Sequence, residues 1–325
     1  MSALGEDGPD VAVLREGIHG MPIGIYANAL RERLPDAEIA LAHTPAEERE
    51  LLGSAPIATG IRLDEAQLNY ANDLRLFACA AAGVDHLPIE ALAERDVAVT
   101  NASGVHGPNI AEYVLGAILH FVRGFGTAQR RKDRHEWRHF QSRELKGSTV
   151  TVVGLGSIGE TIVDRLNSFD VETIGVRYSP EKGGPTDEVV GFDDEAVHGA
   201  LSRTDYLALA TPLTDTTEGL IGPEELVTLP PNAVVVNVGR GPLIDTDALV
   251  SALQRNHIDG AALDVIDPEP LPPDHVLWQM DNVLLTPHNS GHTPRYYHRL
   301  ADIVADNVER IAETGSYNDL DNQVQ

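Results

Sequence analysis

The sequence predicts an α/β protein built from two doubly wound parallel-sheet domains, and three observations predict it. Short β-branched runs alternate with helical stretches through both halves of the chain, the pattern of a parallel sheet covered on both faces. The chain has 325 residues, a length that favours two domains over one. One glycine-rich turn, at 154–159, follows a strand-like run in the second half. The first half has no counterpart, so the halves read as separate units with different tasks.

In the first half, Val11–Leu14, Ile39–Leu41, Pro56–Thr59, Leu76–Cys79 and Val97–Thr100 are expected strands. Helical spacing lies between them, as in Tyr26–Leu34 and Leu87–Glu94. The small-residue segment Ala80–His86 follows a strand. Its backbone N–H groups suit a ligand anion, and a plain strand-to-helix turn explains it equally well. Gly107-Pro108 then opens a helix from about Asn109 to Gly124, with proline in its first turn. That helix has too many apolar positions for one stripe, so deep burial or an oligomer contact is expected. The basic, aromatic stretch Arg130–Phe140 reads as a surface loop or a partner contact.

The second half begins with the run Val150–Val153, followed by Gly154, Gly156 and Gly159 and then by Ile162, Val163 and Leu166 at helical spacing. This is a strand, a G-x-G-x-x-G turn and a helix, the context in which a dinucleotide pyrophosphate rests on backbone N–H groups. Gly154 permits the tight turn, Gly156 the approach of the phosphate, and Gly159 the close packing of helix on strand. A Rossmann-type cofactor domain is therefore expected here. Further strands are expected at Thr173–Arg177, Tyr206–Ala210, Val234–Val238, Ala261–Val265 and Val283–Thr286, with helices such as Glu224–Thr228 and Thr246–Asn256 between them. Tyr296–Thr314 is an amphipathic helix expected to return to the first domain.

Composition excludes several function classes. Asp plus Glu total 50 against 24 Lys plus Arg, a net charge of −26, and the only lysines are Lys132, Lys146 and Lys182. Such a field repels nucleic acid and anionic membranes. The acids are scattered, as on a protein kept soluble in concentrated salt, and a halophilic setting is expected. No apolar run is long enough to span a membrane. The N-terminal MSALGEDGPD lacks a signal pattern, so a cytoplasmic location is expected. Cys79 is the only cysteine, which excludes an internal disulfide and a cysteine-based metal cluster, and no other spacing implies a metal.

Three polar segments fall at expected strand ends of the second half: NVGRG with Arg240, DPEPLP with Glu269 and TPHNSG with His288. In an open parallel sheet ligands bind outside those ends. A guanidinium holds a carboxylate bidentately, an imidazole exchanges protons near neutrality, and a carboxylate orients it. Singly, Arg240 also fits a structural ion pair, Glu269 a solvated acid and His288 a satisfied histidine.

Together with the glycine turn these segments resemble the D-isomer-specific 2-hydroxyacid dehydrogenases, from about Val11 to Ile311. The matching motifs are GVDH at 83–86, GLGSIG at 154–159, TPLT at 211–214, NVGRG at 237–241, ALDV at 262–265, DPEP at 267–270 and TPHNSG at 286–291. The resemblance implies a flavodoxin-like substrate domain from residues 1–102 and 292–325, and a dinucleotide domain over 103–291, with a cleft between them. It implies reduction of a small 2-keto acid to the D-2-hydroxy acid. His288 resembles the acid/base, Glu269 its partner, and Arg240 the residue that binds the substrate carboxylate. Backbone groups of Ala82, Gly83 and Val84 resemble a second carboxylate contact. Ser157 and Ile158, with the three glycines, resemble the pyrophosphate cradle. Thr211, Pro212, Val238 and Gly239 resemble walls of the cofactor site, with Asp264, Ser290 and Gly291 near the nicotinamide.

One position departs from the NAD-using pattern. Where those relatives place an acid on the ribose hydroxyls, this chain has Arg177, followed by Tyr178 and Ser179. A cation there suits a 2′-phosphate, so NADP(H) is expected over NAD(H), although an arginine stacked on adenine also permits NAD(H). A glyoxylate/hydroxypyruvate reductase is a subset of this reading. Phosphoglycerate dehydrogenase is less expected, since no room for a regulatory domain follows before Gln325. Corepressor-like dinucleotide sensors share the fold and are the alternative from another class. The substrate pocket is expected near residues 54–61 and 80–84 and in the loop around Tyr296 and Tyr297. A homodimer through the cofactor domain is expected.

Overall fold

A computed structural model describes residues 8–325. Most of the acidic N-terminal stretch, residues 1–7, lies outside the described residues. The chain divides into two units, Met1–Val105 with His292–Gln325, and His106–Gly291.

The first unit contains β1 (Val11–Val13), α1 (Ile23–Arg33), β2 (Ile39–Leu41), α2 (Pro45–Leu52), β3 (Ile57–Gly60), α3 (Glu65–Leu68), β4 (Leu76–Cys79), α4 (Ile89–Ala93) and β5 (Ala98–Thr100). Its strands form one parallel sheet in the order β2-β1-β3-β4-β5, so the chain reverses direction between β1 and β3. The strands are buried because helices cover both faces, which is why their sequences run apolar without alternation. The C-terminal helix Tyr296–Thr314 lays Tyr297, Leu300, Ala301, Val304, Val308 and Ile311 against α1. That spacing of three and four is one helix face, and each such side chain contributes on the order of 1.5–3 kcal/mol by leaving water. Gly315 ends the helix at φ 70°, a left-handed turn that glycine adopts without strain.

The second unit contains α5 (Gly107–Val122), α6 (Phe125–Asp133), β6 (Thr149–Val153), α7 (Ser157–Leu166), β7 (Glu172–Val176), β8 (Glu188–Val190), α8 (Asp194–Leu201), β9 (Tyr206–Leu209), α9 (Pro223–Thr228), β10 (Val234–Asn237), α10 (Thr246–Gln254), β11 (Gly260–Leu263) and β12 (Val283–Leu285). Its sheet is also parallel, in the order β12-β11-β10-β9-β6-β7-β8. The winding reverses between β6 and β9, which opens a crevice at their C-terminal ends. The glycine turn follows β6, and Thr211 follows β9.

The two expected parallel sheets are present. Several strands end one or two residues sooner than expected, leaving Arg177, Val238 and Asp264 just past the ends of β7, β10 and β11. The apolar helix α5 uses its breadth inside its own unit: Ile110, Ala111, Val114 and Ile118 are buried, and the helix packs on α7. A Cβ on Gly107 would lie 2.7 Å from Thr161 Oγ1 of α7. Arg130–Asp133 are not loop but the last turn of α6. No residue of α6 is buried, so it carries no apolar stripe by which the sequence would reveal it. The following segment folds back on it, with Arg131 donating to the carbonyls of Arg138 and His139 and lying over the Phe140 ring.

Tyr296 and Tyr297 correct another expectation. They do not line a loop pocket; they are the buried first turn of the C-terminal helix. The Tyr296 hydroxyl donates to the Ala80 carbonyl, and the Tyr297 hydroxyl accepts from the Ile18 N–H at 2.7 Å. Tyr26 stacks nearby on Tyr297, with its hydroxyl 2.8 Å from Thr59 Oγ1. Burial pushes the phenols of Tyr26, Tyr296 and Tyr297 above their ordinary value. In the unfolded chain the same groups ionise near pH 10. Their raised folded values therefore give stability that is complete below about pH 10 and is lost as pH rises toward them. The urea midpoint should fall steadily above about pH 10, and Tyr26→Phe should flatten that slope. An equal slope in wild type and variant would contradict this.

Candidate active site

The glycine turn is shaped by three different constraints. Gly154 has φ 97°, and a Cβ on it would lie 2.8 Å from the Ala210 carbonyl oxygen and from Thr211 Cα. The turn after β6 is thus pressed against the end of β9. A Cβ on Gly159 would come within 1.9 Å of the Gly154 carbonyl oxygen, so α7 starts in direct contact with the turn. Gly156 has open space where its side chain would be, and it precedes α7, whose first turn has no side-chain cap. Ser157 is exposed and Ile158 half-buried beside it. The open position at Gly156 and the uncapped N–H groups of α7 fit the pyrophosphate of a dinucleotide.

Arg177 follows β7. Its guanidinium donates to the Gly183 carbonyl at 2.6 Å and lies 4.0 Å from Glu160 Oε1 of α7. Tyr178 is exposed and Ser179 half-buried next to it. The strand end thus presents a cation beside the glycine turn, held on one side by a loop carbonyl.

The β10 end is organised by Asn237, a residue the sequence reading passed over. Its side-chain amide donates to the Arg240 carbonyl at 2.9 Å, and its amide oxygen accepts from the Gly239 N–H at 3.1 Å. Both bonds lie at a buried position and close the turn locally. A Cβ on Gly239 would lie 2.8 Å from the Thr211 carbonyl oxygen, and one on Gly241 2.2 Å from the Ile266 carbonyl. The NVGRG turn therefore touches both the TPLT segment and the approach to the DPEP loop. Thr211 and Val238 are buried there, whereas Pro212 is exposed. Arg240 is exposed; it donates to the Gly239 carbonyl at 2.7 Å and has no carboxylate partner among the described residues. A structural ion pair is thus not its occupation.

His288 and Glu269 meet. Nδ1 of the imidazole lies 2.8 Å from Glu269 Oε1. With Nδ1 bonded to the carboxylate, Nε2 is the nitrogen left for proton exchange. Both side chains are partly open to solvent, and a cavity of about 580 Å³ adjoins them, walled by Ile266, Leu271, Trp278 and Leu285. His288 sits at φ 51°, in the left-handed region that costs a non-glycine residue roughly 1–2 kcal/mol. Asp264 accounts for it. Its backbone carbonyl accepts from the His288 N–H at 2.8 Å. Its buried carboxylate accepts from Asn289 N–H at 2.8 Å, Ser290 N–H at 2.9 Å and the Thr286 hydroxyl at 2.6 Å. The start of α5 holds the next residues: the Asn109 amide donates to the Ser290 carbonyl at 2.6 Å, and His106 Nδ1 is 3.0 Å from the Gly291 carbonyl. The sequence offered Asp264 as a cofactor contact; in the fold most of its acceptor capacity goes to the histidine loop. Asn109, His106 and Thr286 were not singled out, because nothing in the spacing of a helix start announces that it faces a loop far along the chain.

In the first unit, Ala82 and Gly83 are exposed after β4. Three successive carbonyls are tied down: Ala80 by Tyr296, Ala81 by the Ala102 N–H at 3.0 Å, and Ala82 by the Asn101 amide at 2.8 Å. Among the described residues the N–H groups of Ala82, Gly83 and Val84 have no acceptor. These donors, on exposed or half-buried residues, are available to a ligand anion.

Comparison with known proteins accords with this geometry. Residues 115–290 match the family model described as D-isomer specific 2-hydroxyacid dehydrogenase, NAD binding domain. The chain is 34% identical over 254 residues to a glyoxylate reductase of Thermofilum pendens, covering 76% of this chain and 74% of that one. It is 32% identical over 296 residues to a D-3-phosphoglycerate dehydrogenase of Methanocaldococcus jannaschii, covering 89% of this chain and 56% of that longer protein. A D-isomer specific 2-hydroxyacid dehydrogenase from Xanthobacter autotrophicus, solved in complex with NADPH and MES, superposes with a TM-score of 0.78 at 27% identity, covering 98% of each chain. Sequence, fold and site geometry agree: the chain belongs to the D-isomer specific 2-hydroxyacid dehydrogenase family.

Proposed function

We propose that the protein reduces small 2-keto acids to D-2-hydroxy acids with NADPH as the preferred cofactor. The observation that carries this reading is the His288–Glu269 pair at 2.8 Å, in the same unit as an arginine with no carboxylate partner among the described residues. Bound reduced nicotinamide supplies the hydride for C2 of the substrate. Arg240 binds the substrate carboxylate and polarises the keto group. His288 gives a proton from Nε2 to the keto oxygen, while Glu269 fixes Nδ1 and stabilises the charged ring. In the reverse direction the same nitrogen takes the hydroxyl proton. Glyoxylate and hydroxypyruvate are the first substrates to test, since a relative named glyoxylate reductase aligns over three quarters of this chain.

The cofactor preference rests on Arg177. A carboxylate at this strand end repels a 2′-phosphate, whereas a guanidinium binds it bidentately. Glu160, 4.0 Å away, opposes that preference in part. The NADPH complex of the Xanthobacter relative is in keeping with the reading.

The working form in this reading is a homodimer through the cofactor domain, in a salt-rich cytoplasm. Arg123, Arg130, Arg131, Lys132, Arg134, Arg138 and Arg143 concentrate basic charge on one segment of a chain whose net charge is −26, and Trp137 in it is fully exposed. A second acidic copy is the complement such a segment fits.

Three outcomes follow. In molar salt the protein should oxidise NADPH with glyoxylate, hydroxypyruvate or pyruvate, and His288→Gln should lower kcat by roughly 10²–10⁴-fold; no turnover with any 2-keto acid would defeat the enzyme reading. Arg177→Asp should move kcat/KM at least about tenfold toward NADH, a change of about 1.4 kcal/mol in cofactor discrimination; an unmoved ratio removes the cofactor assignment. The melting temperature should rise between low and molar salt, with a dimer mass by light scattering at the high end; a flat curve and a monomer mass remove the setting and the assembly.

A further inference from the structure

Tyr113 stands half-buried on α5, and its hydroxyl lies 2.7 Å from Thr286 Oγ1. The direction of this bond is fixed by counting protons. Thr286 has one hydroxyl proton, and Asp264 Oδ1, 2.6 Å away, is a carboxylate oxygen that only accepts. Thr286 therefore donates to Asp264, and Tyr113 must donate to Thr286. The result is a one-way chain from the phenol through the hydroxyl to the carboxylate. Each donor strengthens the next, because a polarised hydroxyl donates better to a carboxylate.

The chain ends on the group that shapes the histidine loop. Asp264 holds the backbone on both sides of His288, through its carbonyl to His288 N–H and its carboxylate to Asn289 and Ser290 N–H. Thr286, two residues before His288, is clamped to the same carboxylate. These bonds support the left-handed backbone at His288. A negative carboxylate this deeply buried also needs its full set of donors. Without Tyr113, the Thr286 hydroxyl is less polarised and free to turn, and the carboxylate is less firmly fixed. Burial pushes the Tyr113 phenol up to about 12, so it remains a proton donor throughout the neutral range.

We propose that Tyr113 is a positioning residue of the reaction: acting through Thr286 and Asp264, it fixes the His288 backbone and so the pairing of His288 Nδ1 with Glu269. The Tyr113 hydroxyl bonds Thr286 and, among the described contacts, neither the imidazole nor Glu269. The proposal rests on the reading of His288 as the acid/base.

The test uses the full chain and the variants Tyr113→Phe, Thr286→Val and Thr286→Ser. Ring-15N histidine spectra of the protein alone report which nitrogen of His288 carries the proton, the signal being assigned by its loss in His288→Gln. The expected wild-type spectrum shows one ring form, with Nδ1 protonated. Tyr113→Phe and Thr286→Val should show a mixture of the two, and Thr286→Ser, which keeps the hydroxyl, should restore the single form. In turnover, Tyr113→Phe and Thr286→Val should lower kcat about tenfold with KM for the keto acid within about twofold, and Thr286→Ser should recover most of it. An unchanged ring signal with unchanged kcat overturns the proposal, and so does a loss of thermal stability with both unchanged. If Tyr113→Phe fails to fold, the Thr286→Val and Thr286→Ser pair decides alone. If the wild type turns over no 2-keto acid, the functional reading falls, while the ring spectra still decide whether Tyr113 orders the histidine.

Discussion

A single atomic clearance governs the cofactor half of this molecule. Between the first turn of α7 and the carbonyl of Gly154 there is room for a hydrogen at Gly159 and for nothing larger. Because α7 can sit that close, its uncapped N–H groups arrive at the end of β6, at the point where the sheet reverses its winding. The same reversal places the ends of β9, β10 and β11 in sequence beside it, each followed by a polar turn. Without that contact α7 would be displaced from the end of β6, and the anion-binding geometry with it.

On this scaffold two turns are built by buried polar groups that never face solvent. Asn237 closes the NVGRG turn and leaves Arg240 exposed. Asp264 closes the TPHNSG turn and leaves His288 exposed beside Glu269. The two devices share a logic. A buried side chain with several acceptor or donor sites satisfies backbone groups that a tight turn leaves over, and the turn in exchange holds a functional side chain at a fixed angle. Burying Asp264 with no cation partner among the described residues is tolerable because backbone N–H groups and a hydroxyl take the place of water.

Much of this was legible in the sequence, and for physical reasons. Parallel strands covered on both faces are short apolar runs, and they were read to within two residues at most ends. The glycine pattern was legible because each glycine answers to a different steric demand. Arg240, Glu269 and His288 were legible through motif order, and the resemblance paired Glu269 with His288; the 2.8 Å contact between residues 19 apart is what the fold adds. What escaped falls into two kinds. The helix α6 and the edge strand β8 bury too little to leave a hydrophobic pattern. Tyr113 and Asn109 of α5 reach the Thr286 hydroxyl and the Ser290 carbonyl far along the chain, and a polar residue on an apolar helix looks the same whether it faces water or a loop; Asn101 reaches back from a strand end to the Ala82 carbonyl. The loop pocket expected around Tyr296 and Tyr297 fails differently: the helix starts at Tyr296 as expected, and both rings are spent on the core.

The central claim is that His288, held by Glu269, delivers the proton in reduction of a 2-keto acid to one hand of product. The most direct measurement is chiral analysis of the hydroxy acid formed from pyruvate and NADPH in molar salt by the purified protein. The account predicts D-lactate, with none formed by His288→Gln above the background without protein. L-lactate, a racemic product, or D-lactate formed equally well by the His288 variant would contradict it.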